Sequence, residues 1–149
     1  MTRNIYQDMP LHRVGIIQSR AARNILEFRE GILKGYGLTS SEWFVLGYVR
    51  SQTRKGGIRV GDIATTLDVQ STYVTGILRK LEAKELVKWV TDKTDRRARI
   101  ITTTKKGTAV CTAVETELLK QDDAWLGQVS DAAMRGYLSV LETLARTDQ

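Results

Sequence analysis

Within seven positions, 93 to 99, the chain carries Lys93, Arg96, Arg97 and Arg99 with a single acid, Asp95, among them. Clustered Lys and Arg neutralise phosphates and gain from the counterions released. An arginine at an exposed tip also suits the narrow minor groove of a duplex, where the negative potential is enhanced. A little earlier come Gln70, Ser71, Thr72, Tyr73, Thr75 and Arg79, polar groups of the kind that hydrogen-bond base edges and phosphates. Arg97, oriented by Asp95, is the first candidate for groove insertion, and Lys88, Lys93, Arg96 and Arg99 are candidates for phosphate contact. A solvated, salt-bridged face is the plainer alternative for any such charge run. Catalysis has little to work with. One cysteine, Cys111, and one histidine, His12, leave no internal disulfide, no zinc site and no His-based nucleophile scheme. A Gly-rich phosphate loop is missing as well, so the sequence predicts no enzyme, no metal site and no cofactor.

With 149 residues, 42% of them hydrophobic, the chain is expected to form one domain over residues 1–149 with a real core. Its longest nearly apolar run, residues 43–49, is far shorter than the roughly 20 residues a membrane span needs. Residues 1–8 are polar where a signal peptide has an apolar core. A cytoplasmic protein with no membrane partner is expected. Charge is spread unevenly: residues 1–75 hold ten Lys/Arg against six Asp/Glu, residues 76–106 ten against four, and residues 107–149 three against seven. The middle stretch therefore carries +6, the net charge of the whole chain, which suits a polyanion surface.

From Pro10 onward Leu11, Val14, Ile17, Ala21, Ile25, Phe28 and Ile32 recur every three or four positions, which predicts a long amphipathic helix with Pro10 in its first turn and Gly35 and Gly37 at its end. Thr39 and Glu42 form a capping box opening a second helix over about residues 40–52, stopped by Lys55, Gly56 and Gly57. Ile58, Arg59 and Val60 allow a very short strand or an extended link. Ile63, Ala64 and Leu67 give a short helix over residues 60–67, residues 68–70 turn, and Ser71 is expected to cap a further helix to about Lys84. In that helix Val74, Ile77, Leu78 and Leu81 point inward, so Thr72, Thr75, Gly76 and Arg79 line the opposite face. Short side chains around a glycine are what a helix entering the major groove needs. Residues 86–91 and 99–103 read as strands of a hairpin with a long charged tip, the wing of a winged helix-turn-helix. Thr104 should cap the next helix, through Val110, Val114 and Leu118 to about Trp125. Ser130 or Asp131 should cap the last, with Met134, Tyr137, Leu138, Leu141 and Leu144 as its stripe. The fold class is mainly α (α+β). So small a core cannot cover the apolar stripes of the first and last helices, which are expected to bury them on a second copy of the chain.

The run Ser71-Thr72-Tyr73-Val74-Thr75-Gly76-Ile77-Leu78-Arg79-Lys80-Leu81-Glu82, followed by Asp95-Arg96-Arg97-Ala98-Arg99 and Thr104-Lys105-Lys106-Gly107, resembles the MarR family of bacterial winged helix-turn-helix transcriptional regulators. Helix order follows the family over nearly the whole chain, and the sharp motifs lie at about residues 60–107. The resemblance implies a homodimer. Its N- and C-terminal helices, residues 1–37 and 108–149, would form an all-helical dimerisation region beside a DNA-binding winged helix-turn-helix at residues 38–107. The partner implied is double-stranded DNA carrying a palindromic operator. Many members lose DNA affinity when a small aromatic acid or another lipophilic effector binds, or when a cysteine oxidises. The function expected is a dimeric, sequence-specific transcriptional regulator, a repressor released by such an effector, with no enzymatic activity.

An effector pocket between the first, second and fifth helices would draw on Arg20, Arg23, Trp43 and Tyr48. Core aromatics and interface ion pairs are the plainer explanation of those residues. Three positions depart from the family pattern. Glu85 replaces a helix-ending glycine, at a cost of about 1 kcal/mol if its backbone must be left-handed. Trp89 replaces a basic residue on the first wing strand, and Thr103 replaces a leucine, a change expected to be structural only. Cys111, close in sequence to Lys105 and Lys106, could be a redox switch, but a small buried hydrophobe is the expectation; oxidation-sensing members tend to carry their cysteine near the N-terminus, where this chain has none. His12 is expected at a surface or interface. The alternative to DNA binding is a winged helix that docks an acidic protein partner. Against it stands the short polar face of residues 72–79, because protein interfaces present large apolar anchors.

Overall fold

The computed structural model describes residues 5, 6 and 8–146. Among them six helices and one two-stranded sheet follow in the order α1 (Leu11–Gly35), α2 (Ser40–Thr53), α3 (Val60–Leu67), α4 (Ser71–Ala83), β1 (Val87–Thr91), β2 (Arg99–Thr103), α5 (Lys105–Leu126) and α6 (Asp131–Ala145). The chain divides into two compact units that part within α5, between Val114 and Glu115. No helix of the described residues is long and apolar enough to cross a membrane.

The first unit holds the core. Leu33 of α1, Val45, Leu46 and Val49 of α2, Ile63 of α3, and Val74, Leu78 and Leu81 of α4 are fully buried, joined by Ile101 of β2 and Cys111 and Val114 of α5. Local signals set the breaks between these elements. α1 follows Pro10, which stands as its N-cap and not inside its first turn, and past its end Gly37 takes a φ of 66°. Thr39 and Glu42 form the reciprocal cap of α2: Glu42 N–H donates to Thr39 Oγ1 at 3.2 Å and Thr39 N–H to Glu42 Oε2 at 2.8 Å. α3 closes on Asp68, left-handed at φ 52°, a conformation that short polar side chains tolerate.

The wing is antiparallel, pairing Val87 with Thr103 through Thr91 with Arg99. Ile58 adds a bridge on its outer edge, exchanging both backbone hydrogen bonds with Ile101 at 3.1 and 2.8 Å. Gly57 (φ 102°) precedes it where a Cβ would stand 2.8 Å from the Ile101 carbonyl oxygen, so only glycine fits that approach. Behind the wing, Thr104 and Gly107 explain their own spacing. Thr104 Oγ1 donates to the Glu85 carbonyl at 2.7 Å and accepts from Gly107 N–H at 2.9 Å, capping α5. Gly107 lies against the Leu86 backbone with no room for a side chain.

Much of the apolar stripe of α1 lies at the surface of the first unit, and that of α6 at the surface of the second. Leu11, Ile17 and Ile25 on α1 are exposed, and so are Tyr137, Leu138, Leu141 and Leu144 on α6, which has no buried residue. Cys111 is buried, as a small hydrophobe would be, and His12 is exposed.

Candidate nucleic-acid interface

Helices α3 and α4, joined by residues 68–70, form the helix-turn-helix. The inward stripe is as the spacing predicts: Val74, Ile77, Leu78 and Leu81 are buried, while Gln70, Ser71, Thr72, Tyr73, Gly76 and Arg79 are exposed and Thr75 half-buried. One assignment is corrected. Ser71 does not cap α4; Gln70 is the N-cap, without a side-chain capping bond, because its carbonyl already accepts from Tyr73 and Val74 N–H and makes Ser71 the first helical residue. The Ser71 hydroxyl is therefore not committed to a cap. Thr75 Oγ1 donates back to the Ser71 carbonyl at 2.9 Å.

Polar ties fix the orientation of α4. The Tyr73 hydroxyl bonds Ser41 Oγ at 2.9 Å while its ring stays half exposed. Beyond the other end, Lys84 Nζ donates to the Gly37 carbonyl at 2.6 Å and to both Glu42 carboxylate oxygens at 2.7 and 2.8 Å. Burial pushes the Glu42 carboxyl up, but the Lys84 ammonium and the Thr39 N–H outweigh it, and the net shift is downward. One buried carboxylate thus caps α2 and holds the end of α4. Next to it Glu85 takes the left-handed backbone its position demands, φ 61°, with its carboxylate 3.1 Å from Lys106 Nζ.

The wing tip is built from two Asx turns, the local pattern in which an Asp side chain accepts from the backbone two residues on. Asp92 Oδ1 accepts from Thr94 N–H at 2.9 Å and Thr94 Oγ1 at 2.8 Å, and Asp95 Oδ1 accepts from Arg97 N–H at 3.1 Å. Asp95 therefore orients Arg97 through its backbone and not through its guanidinium. Lys93, Arg96 and Arg97 all point into solvent, and the guanidinia of Arg96 and Arg97 have no partner among the described residues. Arg99 differs: its guanidinium lies over the Trp89 ring, 5.5 Å from the centroid, a cation–π contact that gives the unusual tryptophan a use. Thr103 bonds Thr53 and Thr108 between α2 and α5, a structural role.

Two charged residues outside the sequence-based candidates belong to this surface. Arg59, at the start of α3, reaches Asp92 Oδ2 at 2.8 Å. The Arg59 guanidinium, with the Thr94 N–H, holds the Asp92 carboxyl well below the usual carboxylate range. A polar pocket of about 360 Å³ opens beside this pair, lined also by Tyr48, Gln52, Gly57, Ile58, Asp62 and Ile100. Tyr48 is the one effector candidate on it, and its hydroxyl accepts from Thr66 Oγ1 at 2.9 Å. Trp43 is half-buried on α2, and Arg20 and Arg23 are exposed on α1.

An exposed recognition helix beside a two-stranded basic wing defines the winged helix-turn-helix class. Residues 38–98 match the MarR family model. Over 71 residues the chain is 41% identical to the transcriptional activatory protein BadR of Rhodopseudomonas palustris, an alignment covering 48% of this chain and 41% of that protein. It thus spans less than half the length of that relative. Among solved structures it is similar to the MepR–DNA complex of Staphylococcus aureus, with TM-score 0.73 and 20% identity over 87% of this chain and 91% of that one. CouR from Rhodococcus jostii RHA1, bound to p-coumaroyl-CoA, matches with TM-score 0.76 and 19% identity over 91% and 94%. These structural likenesses establish the fold. Residues 38–98 are thus similar to the MarR family, and the sequence relative named above is, by its name, a transcription regulator.

Proposed function

We propose that this chain acts as a dimeric, sequence-specific DNA-binding transcriptional regulator. The observation that carries the reading is the pairing of an exposed polar α4 face with a wing whose tip holds Arg96 and Arg97 outward without partners. Gln70, Ser71, Thr72, Tyr73, Thr75 and Arg79 would meet bases and phosphates, Arg97 the minor groove, and Lys93, Arg96 and Arg99 flanking phosphates. The exposed apolar residues of α1 and α6 support a second copy as partner through residues 1–37 and 108–149, with 38–107 as the reading head. Two-fold symmetry then calls for a palindromic operator whose half-sites present successive major grooves about 34–36 Å apart, read in the cytoplasm. The MepR–DNA complex supports DNA as the partner class, and the ligand of CouR supports a small aromatic or lipophilic effector. Arg20, Arg23, Trp43 and Tyr48 are the residues proposed for it.

Repression released by that effector is the mode we infer. Deleting the gene should then raise transcription from the bound promoter; a fall would assign activation, as the name of BadR states for that protein. The reading is tested by fluorescence anisotropy against a duplex from upstream of the chain's own gene, beside a scrambled duplex, at two salt concentrations. Tight, salt-sensitive binding to the native duplex alone is expected. No binding to either at low salt would move the assignment to a protein-docking winged helix.

A further inference from the structure

Helix α3 begins on an arginine. Arg59 is its N-cap, and the side chain makes no capping bond. Ser, Thr, Asp and Asn are preferred at such a position because their oxygen accepts from the first helical N–H groups, whereas a guanidinium offers donors only. The side chain instead crosses to the hairpin, with Nη2 2.8 Å from Asp92 Oδ2 and 3.8 Å from Asp95 Oδ2. Both carboxylates are shared in the same way. One oxygen of each folds the tip, Asp92 Oδ1 on Thr94 and Asp95 Oδ1 on the Arg97 N–H, and the other faces Arg59. The paired strands end at Thr91 and Arg99; past them Asp92 N–H donates to the Ala98 carbonyl at 3.0 Å and Ala98 N–H to the Asp95 carbonyl at 2.9 Å, both at the base of the tip, while the Ile58 bridge lies farther down, at Ile101.

We propose that Arg59 is the positioning residue of the wing, fixing through Asp92 and Asp95 where the tip presents Arg96 and Arg97 beside α4. This rests on the DNA-binding reading above and deepens it. The arrangement explains why an N-cap gives up its cap, and why two acids stand in a loop whose surroundings are basic. Arg59 has a rival role as a direct phosphate ligand, and the two roles predict opposite signs for one substitution. Asp92→Asn keeps an oxygen for Thr94 but turns an NH2 group toward Arg59. A positioning Arg59 loses its anchor; a phosphate-binding Arg59 is set free.

The test uses the full chain, the native upstream duplex and the scrambled duplex, with backbone NMR order parameters of the free protein. Arg59→Met and Asp92→Asn are each expected to weaken native-duplex binding about tenfold, and Arg59→Met should leave the thermal midpoint unchanged, since Arg59 is half exposed. Arg97→Ala should cost less in the Arg59→Met background than alone, and the exchange of charges in Arg59→Asp with Asp92→Arg should restore part of the affinity. Order parameters at residues 93–97 should fall below about 0.6 in Arg59→Met, the range of flexible backbone. Tighter binding or a steeper salt dependence in Asp92→Asn would overturn the inference in favour of a phosphate ligand. Unchanged order at residues 93–97 in Arg59→Met would overturn it whatever happens with DNA. A wild-type protein that binds neither duplex would sink the DNA reading alone, leaving the order parameters to decide the clamp.

Discussion

Along α4 four side chains, Val74, Ile77, Leu78 and Leu81, are buried, and Tyr73 and Lys84 add ties to α2 and the α1–α2 turn. At the wing tip none of residues 93–97 is buried, and the loop is shaped by two Asx turns, two backbone hydrogen bonds at Ala98 and one guanidinium. Burial of apolar surface is not screened by salt, whereas ion pairs at the surface are weak and screened. The helix proposed to read bases is thus set by packing, and the arm proposed to seek phosphates is set by contacts of the same kind as those it will make. Sequence reading needs a surface of fixed shape; the arm, with no packed side chains of its own, depends on the Arg59 pair proposed to position it.

The contrast can be broken from the core outward. Leu78→Ala should be the most damaging change, removing about 2–5 kcal/mol of stability, seen as a large fall in the midpoint of urea unfolding. A tip substitution such as Arg96→Ala should leave that midpoint where it is. An equal loss at both places would erase the distinction. Glu42→Gln comes next, at about 1–3 kcal/mol near neutral pH, because it leaves Lys84 without its carboxylate. The Glu42 carboxyl sits below its ordinary value of 4.5 in the folded chain, so its contribution is complete above that pH and lost as the pH falls through the folded value. Wild type and variant should converge in acid; a gap that persisted there would remove the ion pair from the account. Smallest is a gain. Glu85→Gly relieves a left-handed backbone at φ 61° and should raise stability by about 1 kcal/mol, less whatever the exposed pair with Lys106 contributes. A loss of stability on urea titration would show that the Lys106 contact outweighs the strain.

Much of this was legible in the chain, for reasons that differ by element. α3 runs over Val60–Leu67 as the spacing predicts, because its apolar period is interrupted by a residue, Asp68, able to turn the backbone. The capping box of Thr39 and Glu42 reads directly, since both partners lie within four residues. The second duty of Glu42 did not read, because Lys84 is 42 positions away and a long flexible side chain leaves no periodic trace. Arg59 was invisible for the same reason: its partner stands 33 positions on, and as a residue between two elements it looked like a link. Ser71 reads as a cap by residue type, but Gln70 does that work with its backbone alone. The exposed polar face of α4 was readable from the four inward residues, which leave Thr72, Gly76 and Arg79 no other side to occupy.

The division of labour between helix and arm is tested most directly by salt titrations of Arg97→Ala and Thr72→Ala against the native and scrambled duplexes. The account predicts that Arg97→Ala weakens both duplexes alike and lowers the salt slope by about one. Thr72→Ala should instead shrink the preference for the native duplex and leave the slope unchanged. A wild-type salt slope in Arg97→Ala, or a Thr72→Ala protein with undiminished preference, would contradict it.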